Sequence, residues 1–109
     1  MIQKTVATFD ITIYIAGDAD IARQVCREYC FAFGLCVTVE SCWYVYTGGE
    51  ELGVRIGLLN YPRFPTTLVE LRETAVRLAE NLRLRLCQHS YLVVCPEETV
   101  WVSYRPENT

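Results

Sequence analysis

The spacing of apolar residues switches between two periods along this chain, and the order of these switches limits the fold to few architectures. From Val6 to Ile15 apolar and polar residues alternate, which is the period of a half-buried strand. From about Ala19 to Phe33 they recur every three or four residues, as on one face of a helix. Asp18 is suited to cap the start of this helix, and Gly34 follows its end, where a left-handed residue is needed. The chain therefore opens with a strand followed by a helix.

The middle of the chain is typical of a long hairpin. Strand-forming residues run from Leu35 to Thr47, and the glycine-containing segment 47–51 predicts a turn. Alternation resumes around Val54 to Leu58, which predicts the returning strand. Residues 40–41 are polar and interrupt the first of these strands, so we expect a β-bulge there.

The remainder predicts another helix and two short strands. Segment 60–65 contains two prolines and stays extended. The helix runs from about Leu68 to Cys87, and Thr67 with Glu70 has the spacing of a capping box. Two strands follow the helix, over Tyr91–Cys95 and Val100–Tyr104.

These elements predict an α+β fold, a ferredoxin-like βαββαβ two-layer sandwich with an extra C-terminal hairpin strand. Right-handed crossovers would place both helices on one face of a single antiparallel sheet. The length fits one domain over residues 1–109, in which residues 106–109 form a frayed tail. The other face of such a sheet carries no helix, so we expect its side chains to meet a ligand or another chain.

Charge and apolar content exclude several classes of protein. The net charge of −3 argues against duplex nucleic acid as a partner, because phosphate binding needs a basic face. No apolar stretch approaches the ~20 residues that cross a bilayer. Asp10 interrupts the N-terminal segment, where a signal peptide needs an apolar core. We therefore expect a cytoplasmic protein that does not enter a membrane.

Six cysteines and one histidine raise the question of metal or thiol chemistry. Cys87 and His89 with a third cysteine are candidates for a metal site, but no cysteine pair has the C-x-x-C spacing of zinc sites. The alternative, small apolar core residues in a reducing compartment, agrees better with the spacing. His89 follows a helix end, where it serves either as a cap or as a base. We predict no catalytic residue, no metal and no cofactor, and hence a protein that is not an enzyme.

Aromatic residues and arginines supply better material for binding. Tyr, Trp, Phe and Arg are enriched at interface hot spots, and a proline-stiffened loop loses little entropy on binding. The predicted binding set has seven members: Tyr61, Arg63 and Phe64 on the loop, Trp43, Tyr44 and Tyr46 on the hairpin, and Arg72 on the second helix. The arginines are either solvated or meet an anionic ligand or an acidic partner.

Several strands contribute to the uncovered face. Its predicted residues are Thr8, Thr12 and Tyr14, then Trp101 or Tyr104, and either Tyr44 with Tyr46 or Trp43 with Val45. These aromatic side chains either complete the core of a monomer or form an oligomer interface or a ligand cleft. The second alternative predicts a homo-oligomer, a dimer or trimer, with room for a protein partner.

Three features resemble known proteins. Residues 33–37, followed by the aromatic hairpin, resemble the trimeric CutA-type proteins of ferredoxin-like fold, which implies trimerisation through hairpin edges. The element order, with Gly17 at the first strand–helix turn, is similar to that of ACT domains, which implies an amino acid or other small ligand. Residues 13–18 and 60–65 resemble stretches of small bacteriophage proteins, which implies an accessory factor that acts by binding.

We therefore predict a non-enzymatic oligomeric binding protein, of the kind that a phage uses to bind and modulate a host protein. The alternative is a small-ligand or metal-sensing domain of CutA or ACT type, with its ligand between subunits. Thermal stabilisation by a small ligand would distinguish the two.

Overall fold

The computed structural model describes residues 1–106, which form seven elements of regular structure. In chain order they are β1 (Asp10–Ala16), α1 (Ala19–Phe33), β2 (Val37–Tyr46), β3 (Gly49–Leu59), α2 (Leu68–Arg85), β4 (Ser90–Val94) and β5 (Thr99–Ser103). The predicted frayed tail lies, apart from Pro106, outside the described residues.

One antiparallel sheet holds the five strands in the order β2-β3-β1-β4-β5. The first four take the order of a ferredoxin-like sheet, and β5 pairs with β4 as the extra hairpin strand. Both helices pack against the same face of the sheet. The predicted α+β two-layer sandwich is therefore confirmed.

The core lies between this face and the two helices. Its residues alternate along the strands and recur at helical spacing on the helices: Ile11, Ile13, Ile15, Ala22, Val25, Cys26, Val54, Ile56, Leu58, Leu71, Ala75, Leu78, Leu82 and Val93. Each large aliphatic side chain that is fully buried contributes about 1.5–3 kcal/mol relative to an exposed one. The core thus fixes which residues of each strand point away from the helices.

Capping residues set the ends of the helices. Asp18 accepts hydrogen bonds from two backbone N–H groups of the first turn of α1, at 2.8 and 3.1 Å, and Gly34 ends that helix at a φ of +64°. Thr67 accepts from the N–H of Glu70 at 3.2 Å. The carboxylate of Glu70 accepts a hydrogen bond from the hydroxyl of Thr66, so only half of the predicted capping box forms.

Helix α2 ends at Arg85, earlier than predicted. Cys87 takes the left-handed conformation at a φ of +57°, and the N–H of Gln88 donates to the carbonyl of Arg83 at 2.9 Å. This arrangement closes a helix end, and glycine usually occupies its left-handed position. Because a cysteine and not a glycine occupies this position, the sequence does not mark the end of the helix. The prediction that the helix reaches Cys87 is wrong. Within residues 1–106, neither helix combines the length and apolar character that crossing a membrane requires.

The first strand begins at Asp10, later than predicted. Asn60 is buried, and its side-chain amide donates to the carbonyl of Ala7 at 2.8 Å. Its backbone N–H donates to the carbonyl of Phe9 at 3.0 Å. Residues 7–9 therefore lie along the loop that follows β3, and one asparagine joins the two segments.

The hairpin of β2 and β3 is regular from end to end. Its register runs without interruption from the pair Val37 and Leu58 to the pair Tyr46 and Gly49. The expected bulge at residues 40–41 is wrong, because Glu40 pairs in register with Arg55 and forms an ion pair with it. The described molecule is elongated, with extents of 53 × 29 × 22 Å.

All six cysteines are free thiols in the structure. Burial raises the pKa of Cys26 to about 12, so this thiol stays protonated and packs as a small apolar group. Within the described part of the chain, no group of three or more His, Cys, Asp or Glu residues is arranged to hold a metal ion.

Candidate functional site

The face of the sheet opposite the helices is uncovered, and we call it the open face. A row of paired residues crosses all five strands on this face, in the order Glu40, Arg55, Tyr14, Leu92 and Trp101. Two grooves lie towards opposite ends of the strands, one on each side of this row. They bring together residues that are far apart in the sequence.

The groove on the side of the hairpin turn has a volume of about 360 Å³, and we call it the aromatic groove. Its chemically distinctive lining residues are Tyr14, Tyr44, Glu51, His89, Trp101 and Arg105. Sites of this size hold small organic ligands. Aromatic faces beside one carboxylate and one guanidinium suit a flat ring system that carries charged groups.

Tyr44 is firmly held in the aromatic groove. Its hydroxyl donates a hydrogen bond to the backbone carbonyl of Val54 at 2.5 Å, and its ring meets that of Tyr14 edge-on at a centroid distance of 6.5 Å. The ring also lies against Gly53, where an added Cβ would be 2.2 Å from Cε2 of Tyr44. Burial raises the pKa of Tyr44, so its hydroxyl remains a donor and is not a base at neutral pH.

Three ionisable side chains from separate parts of the chain line the aromatic groove. Glu51 lies on β3 in register with Tyr44 and is exposed. His89 lies between α2 and β4, and its backbone carbonyl accepts from the N–H of Tyr104 at 2.8 Å. Arg105 follows β5, and its N–H donates to the hydroxyl of Ser103 at 3.2 Å. The groove therefore offers partners to both a cationic and an anionic group of a ligand.

A polar network behind the groove ties α2 to the last two strands. Glu80 accepts hydrogen bonds from the hydroxyl of Tyr91 at 2.7 Å, from the hydroxyl of Tyr104 at 3.0 Å and from Arg83 at 3.1 Å. The guanidinium of Arg83 lies 3.8 Å from the centre of the Tyr104 ring. Desolvation alone would raise the pKa of Glu80, but these hydrogen bonds outweigh it and hold the pKa below its ordinary value.

The second groove on the open face has a volume of about 350 Å³, and we call it the polar groove. Carboxylates, hydroxyls and one guanidinium line it: Asp10, Thr12, Thr38, Glu40 and Arg55, with Gly57. Arg55 donates to both carboxylate oxygens of Glu40, at 3.2 and 3.4 Å. This groove is suited to a small polar group and not to a flat apolar ring.

The predicted hairpin residues divide between the two faces. Tyr44 and Tyr46 point to the open face, and only Tyr44 of the two lines the aromatic groove. Trp43 pairs with Leu52 on the opposite side, beyond the end of the helices, and is exposed. Of the two alternatives for the uncovered face, the structure therefore selects Tyr44 with Tyr46.

The other predicted binding residues lie away from both grooves. Tyr61 and Phe64 form a turn with ring centroids 6.0 Å apart, and the guanidinium of Arg63 lies 5.6 Å from the Phe64 ring centre. The two aromatic residues line a third cavity of about 330 Å³ beside the end of α1. Arg72 forms an ion pair with Glu98 that joins α2 to the β4–β5 turn. Binding through these residues stays a prediction.

Sequence reasoning missed most of the charged residues on the open face. The sequence places Glu51 in the predicted turn over residues 47–51 and Arg105 directly before the predicted tail over residues 106–109. Alternation along β3 is the signal that identifies Glu51 and Arg55. Both have odd numbers, whereas the even-numbered residues of this strand from Val54 onwards face the core. Their position beside Tyr14 follows from the order of the strands in the sheet, which the sequence of β3 alone does not show.

Solved structures of a phage enzyme share this fold. Phage SAM lyase in its apo state matches with a TM-score of 0.69 at 11% identity, over 97% of this chain and 98% of that chain. Phage SAM lyase in complex with S-methyl-5'-thioadenosine matches with a TM-score of 0.66 at 12% identity and the same coverage. No protein-family model and no curated protein sequence matches the chain.

This comparison corrects the predictions of function. The prediction of a non-enzymatic binding protein, and with it that of a protein that is not an enzyme, is wrong, because the solved structures that share the fold over 97% of this chain are those of phage SAM lyase, an enzyme. The sensor alternative, also non-enzymatic, fails for the same reason. Both neighbours are phage proteins, which supports the resemblance to phage proteins, while no family or sequence match supports the CutA or ACT resemblance.

Proposed function

We propose that this chain is a phage SAM lyase, which cleaves S-adenosylmethionine (SAM) and releases S-methyl-5'-thioadenosine in the aromatic groove. The observation that carries this proposal is the groove itself. It combines aromatic side chains with a carboxylate in about 360 Å³, and the chain matches phage SAM lyase over nearly the whole of both chains. A nucleoside joined to a cationic sulfur needs such a combination of flat faces and negative charge.

The reaction breaks the bond between the sulfonium sulfur and the γ carbon of the methionine portion. The electron pair of that bond goes to sulfur, which becomes the neutral thioether of S-methyl-5'-thioadenosine. The carboxylate of the same substrate molecule attacks the γ carbon from the side opposite to sulfur. The second product is a five-membered lactone that keeps the ammonium group, so the reaction consumes no water and needs no external base.

On this route neither Glu51 nor His89 has to act as a nucleophile or a base, although both line the groove. The protein has to hold the substrate in the conformation in which its carboxylate faces the γ carbon, and fixed geometry alone supplies a large part of such a rate enhancement. In the proposed arrangement Tyr14, Tyr44 and Trp101 contact the nucleoside and the sulfonium. Glu51 lines the same groove, and its carboxylate attracts the positive charge of the sulfonium.

We further propose that the chain works in the cytoplasm as a homo-oligomer, a dimer or trimer. All six thiols are free, as a reducing compartment keeps them. Trp43, Val45 and Leu52 are exposed on one side of the hairpin, beyond the helices. Exposed apolar clusters of this kind are stabilised by burial against another chain.

Incubation of the purified protein with SAM tests the proposed activity. The protein is compared with the Trp101→Ala variant, prepared in the same way and shown by circular dichroism to be folded. We expect the wild-type protein to form S-methyl-5'-thioadenosine and the variant to form it much more slowly, because one wall of the groove is lost. Equal product formation by both proteins would place the reaction elsewhere.

A further inference from the structure

We infer that Glu40 and Arg55 bind the zwitterionic end of the substrate, with Arg55 on its carboxylate and Glu40 on its ammonium group. This inference rests on the proposed function and names the residues that recognise the amino acid portion. It assigns the nucleoside to the aromatic groove and the amino acid to the border of the polar groove.

The position of the pair on the sheet supports this assignment. Arg55 is directly opposite Tyr14 in the register of β1 and β3, and Glu40 is directly opposite Arg55 in the register of β2 and β3. Side chains at directly opposite positions have Cβ atoms about 4.5–5.5 Å apart. A ligand that leaves the aromatic groove past Tyr14 therefore meets the guanidinium first and the carboxylate next.

The charges of the pair are accessible to a ligand. The side chains of Arg55 and Glu40 are 46% and 59% exposed, and their contacts of 3.2 and 3.4 Å leave further donors and lone pairs free to bind. An exposed ion pair contributes little to the free energy of unfolding, so the fold does not depend on it. A ligand that carries both an ammonium and a carboxylate can therefore join the pair without leaving either charge unpaired.

The surroundings of the pair favour a small polar group. Thr12 and Thr38 supply hydroxyls to the same groove, and Gly57 lies between them in the sheet register. An added Cβ at position 57 would be 2.4 Å from Oγ1 of Thr38. The glycine therefore leaves the space that the Thr38 hydroxyl occupies, and the groove keeps its polar lining.

The test compares two nucleosides that differ in the amino acid portion. S-methyl-5'-thioadenosine lacks that portion, whereas S-adenosylhomocysteine carries the zwitterion but has no sulfonium to cleave. Titration calorimetry gives the affinity of each for the wild-type protein and for the Arg55→Gln and Glu40→Gln variants. We expect each variant to bind S-adenosylhomocysteine about tenfold more weakly or worse, and S-methyl-5'-thioadenosine as the wild type does.

The matched control is Arg85→Gln. Arg85 forms an ion pair with Glu28 at 2.8 Å, and the two side chains are 48% and 51% exposed, which matches the proposed pair closely. This control lies on the helices, so it leaves the affinity for both nucleosides unchanged. Glu40→Gln keeps the test decisive if Arg55→Gln does not fold.

The outcomes separate this inference from the proposed function. Failure of the wild-type protein to bind either nucleoside overturns both. Binding of both nucleosides with no selective loss in the Arg55 and Glu40 variants overturns the assignment and leaves the lyase proposal standing. A selective loss of S-adenosylhomocysteine binding in Arg105→Gln, with none in Arg55→Gln, likewise overturns it, because the carboxylate would then lie in the aromatic groove.

Discussion

At the scale of single residues, the aromatic groove depends on Gly53 as much as on the side chains around it. An added Cβ at this position would be 2.2 Å from Cε2 of Tyr44 and 2.7 Å from the backbone carbonyl oxygen of Ile15. Gly53→Ala should therefore displace Tyr44 and lower the free energy of unfolding by about 1–3 kcal/mol. Urea denaturation measures this loss.

Gly49→Ala is the matched control, because a Cβ there would be 3.3 Å from the Tyr46 ring, and a small movement of that exposed ring accommodates it. A loss of stability in Gly53→Ala no larger than in Gly49→Ala would show that Tyr44 does not need this glycine.

Glu51 is expected to distinguish a sulfonium from a thioether. Its carboxylate lies in the groove where the nucleoside and its sulfur are proposed to bind. Glu51→Gln should weaken the binding of SAM about tenfold and leave the binding of S-adenosylhomocysteine unchanged, since only SAM carries the positive sulfur. Single-turnover binding kinetics measure the first affinity and calorimetry the second. Equal weakening of both ligands would mean that Glu51 contacts some other part of the substrate.

At the scale of elements, Glu80 joins α2 to β4 and β5. The pKa of Glu80 is lower in the folded protein than its ordinary value of 4.5, so its contribution to stability is complete above that value and is lost as the pH falls through the range below it. Glu80→Gln should lower the free energy of unfolding by about 1–2 kcal/mol at pH 7. The difference from the wild type should shrink as the pH falls below 4.5.

Denaturation by urea at pH 7, 5 and 3 follows this difference. Glu73→Gln, on an exposed position of the same helix, serves as the control and should change little at any pH. A difference between wild type and Glu80→Gln that does not vary with pH would contradict the account of the network.

The elements themselves were largely predictable from the sequence. Alternation along β1 and the stripe of α1 reflect burial on one face, and Asp18 and Gly34 have the residue types that caps require. The errors fall where distant contacts override local signals. Asn60 binds the segment before β1, and Glu40 finds its partner Arg55 on the neighbouring strand, so neither effect is visible in a local window.

At the scale of the whole molecule, the proposed oligomer contact is the side of the β2–β3 hairpin that carries Trp43, Val45 and Leu52. Val45 is 75% exposed on the side of the hairpin that also carries Trp43 and Leu52. Val45→Asp should shift the protein towards the monomer in sedimentation experiments, because a charge in a buried apolar contact is costly. Lys4→Asp, in the segment before β1, is a control that should keep the assembly. A wild-type protein that is monomeric at all concentrations would overturn this proposal.

The candidate site was much less predictable than the fold. Tyr14 is predicted on the uncovered face, and Tyr44 and Trp101 are each one of two alternatives there. Their proximity to Glu51 and Arg105 depends on the order of five strands. His89 is the only histidine in the sequence, and no nucleophile with the spacing of a known catalytic motif accompanies it. The proposed reaction, in which the substrate supplies its own nucleophile, requires no such signature in the sequence.

The most direct test of the account is a time course of SAM with the wild-type protein, followed by mass spectrometry. We predict that S-methyl-5'-thioadenosine appears one for one with the SAM consumed, together with the lactone or its hydrolysis product. Folded protein that leaves SAM intact, or that converts it without releasing S-methyl-5'-thioadenosine, would contradict the proposed lyase activity.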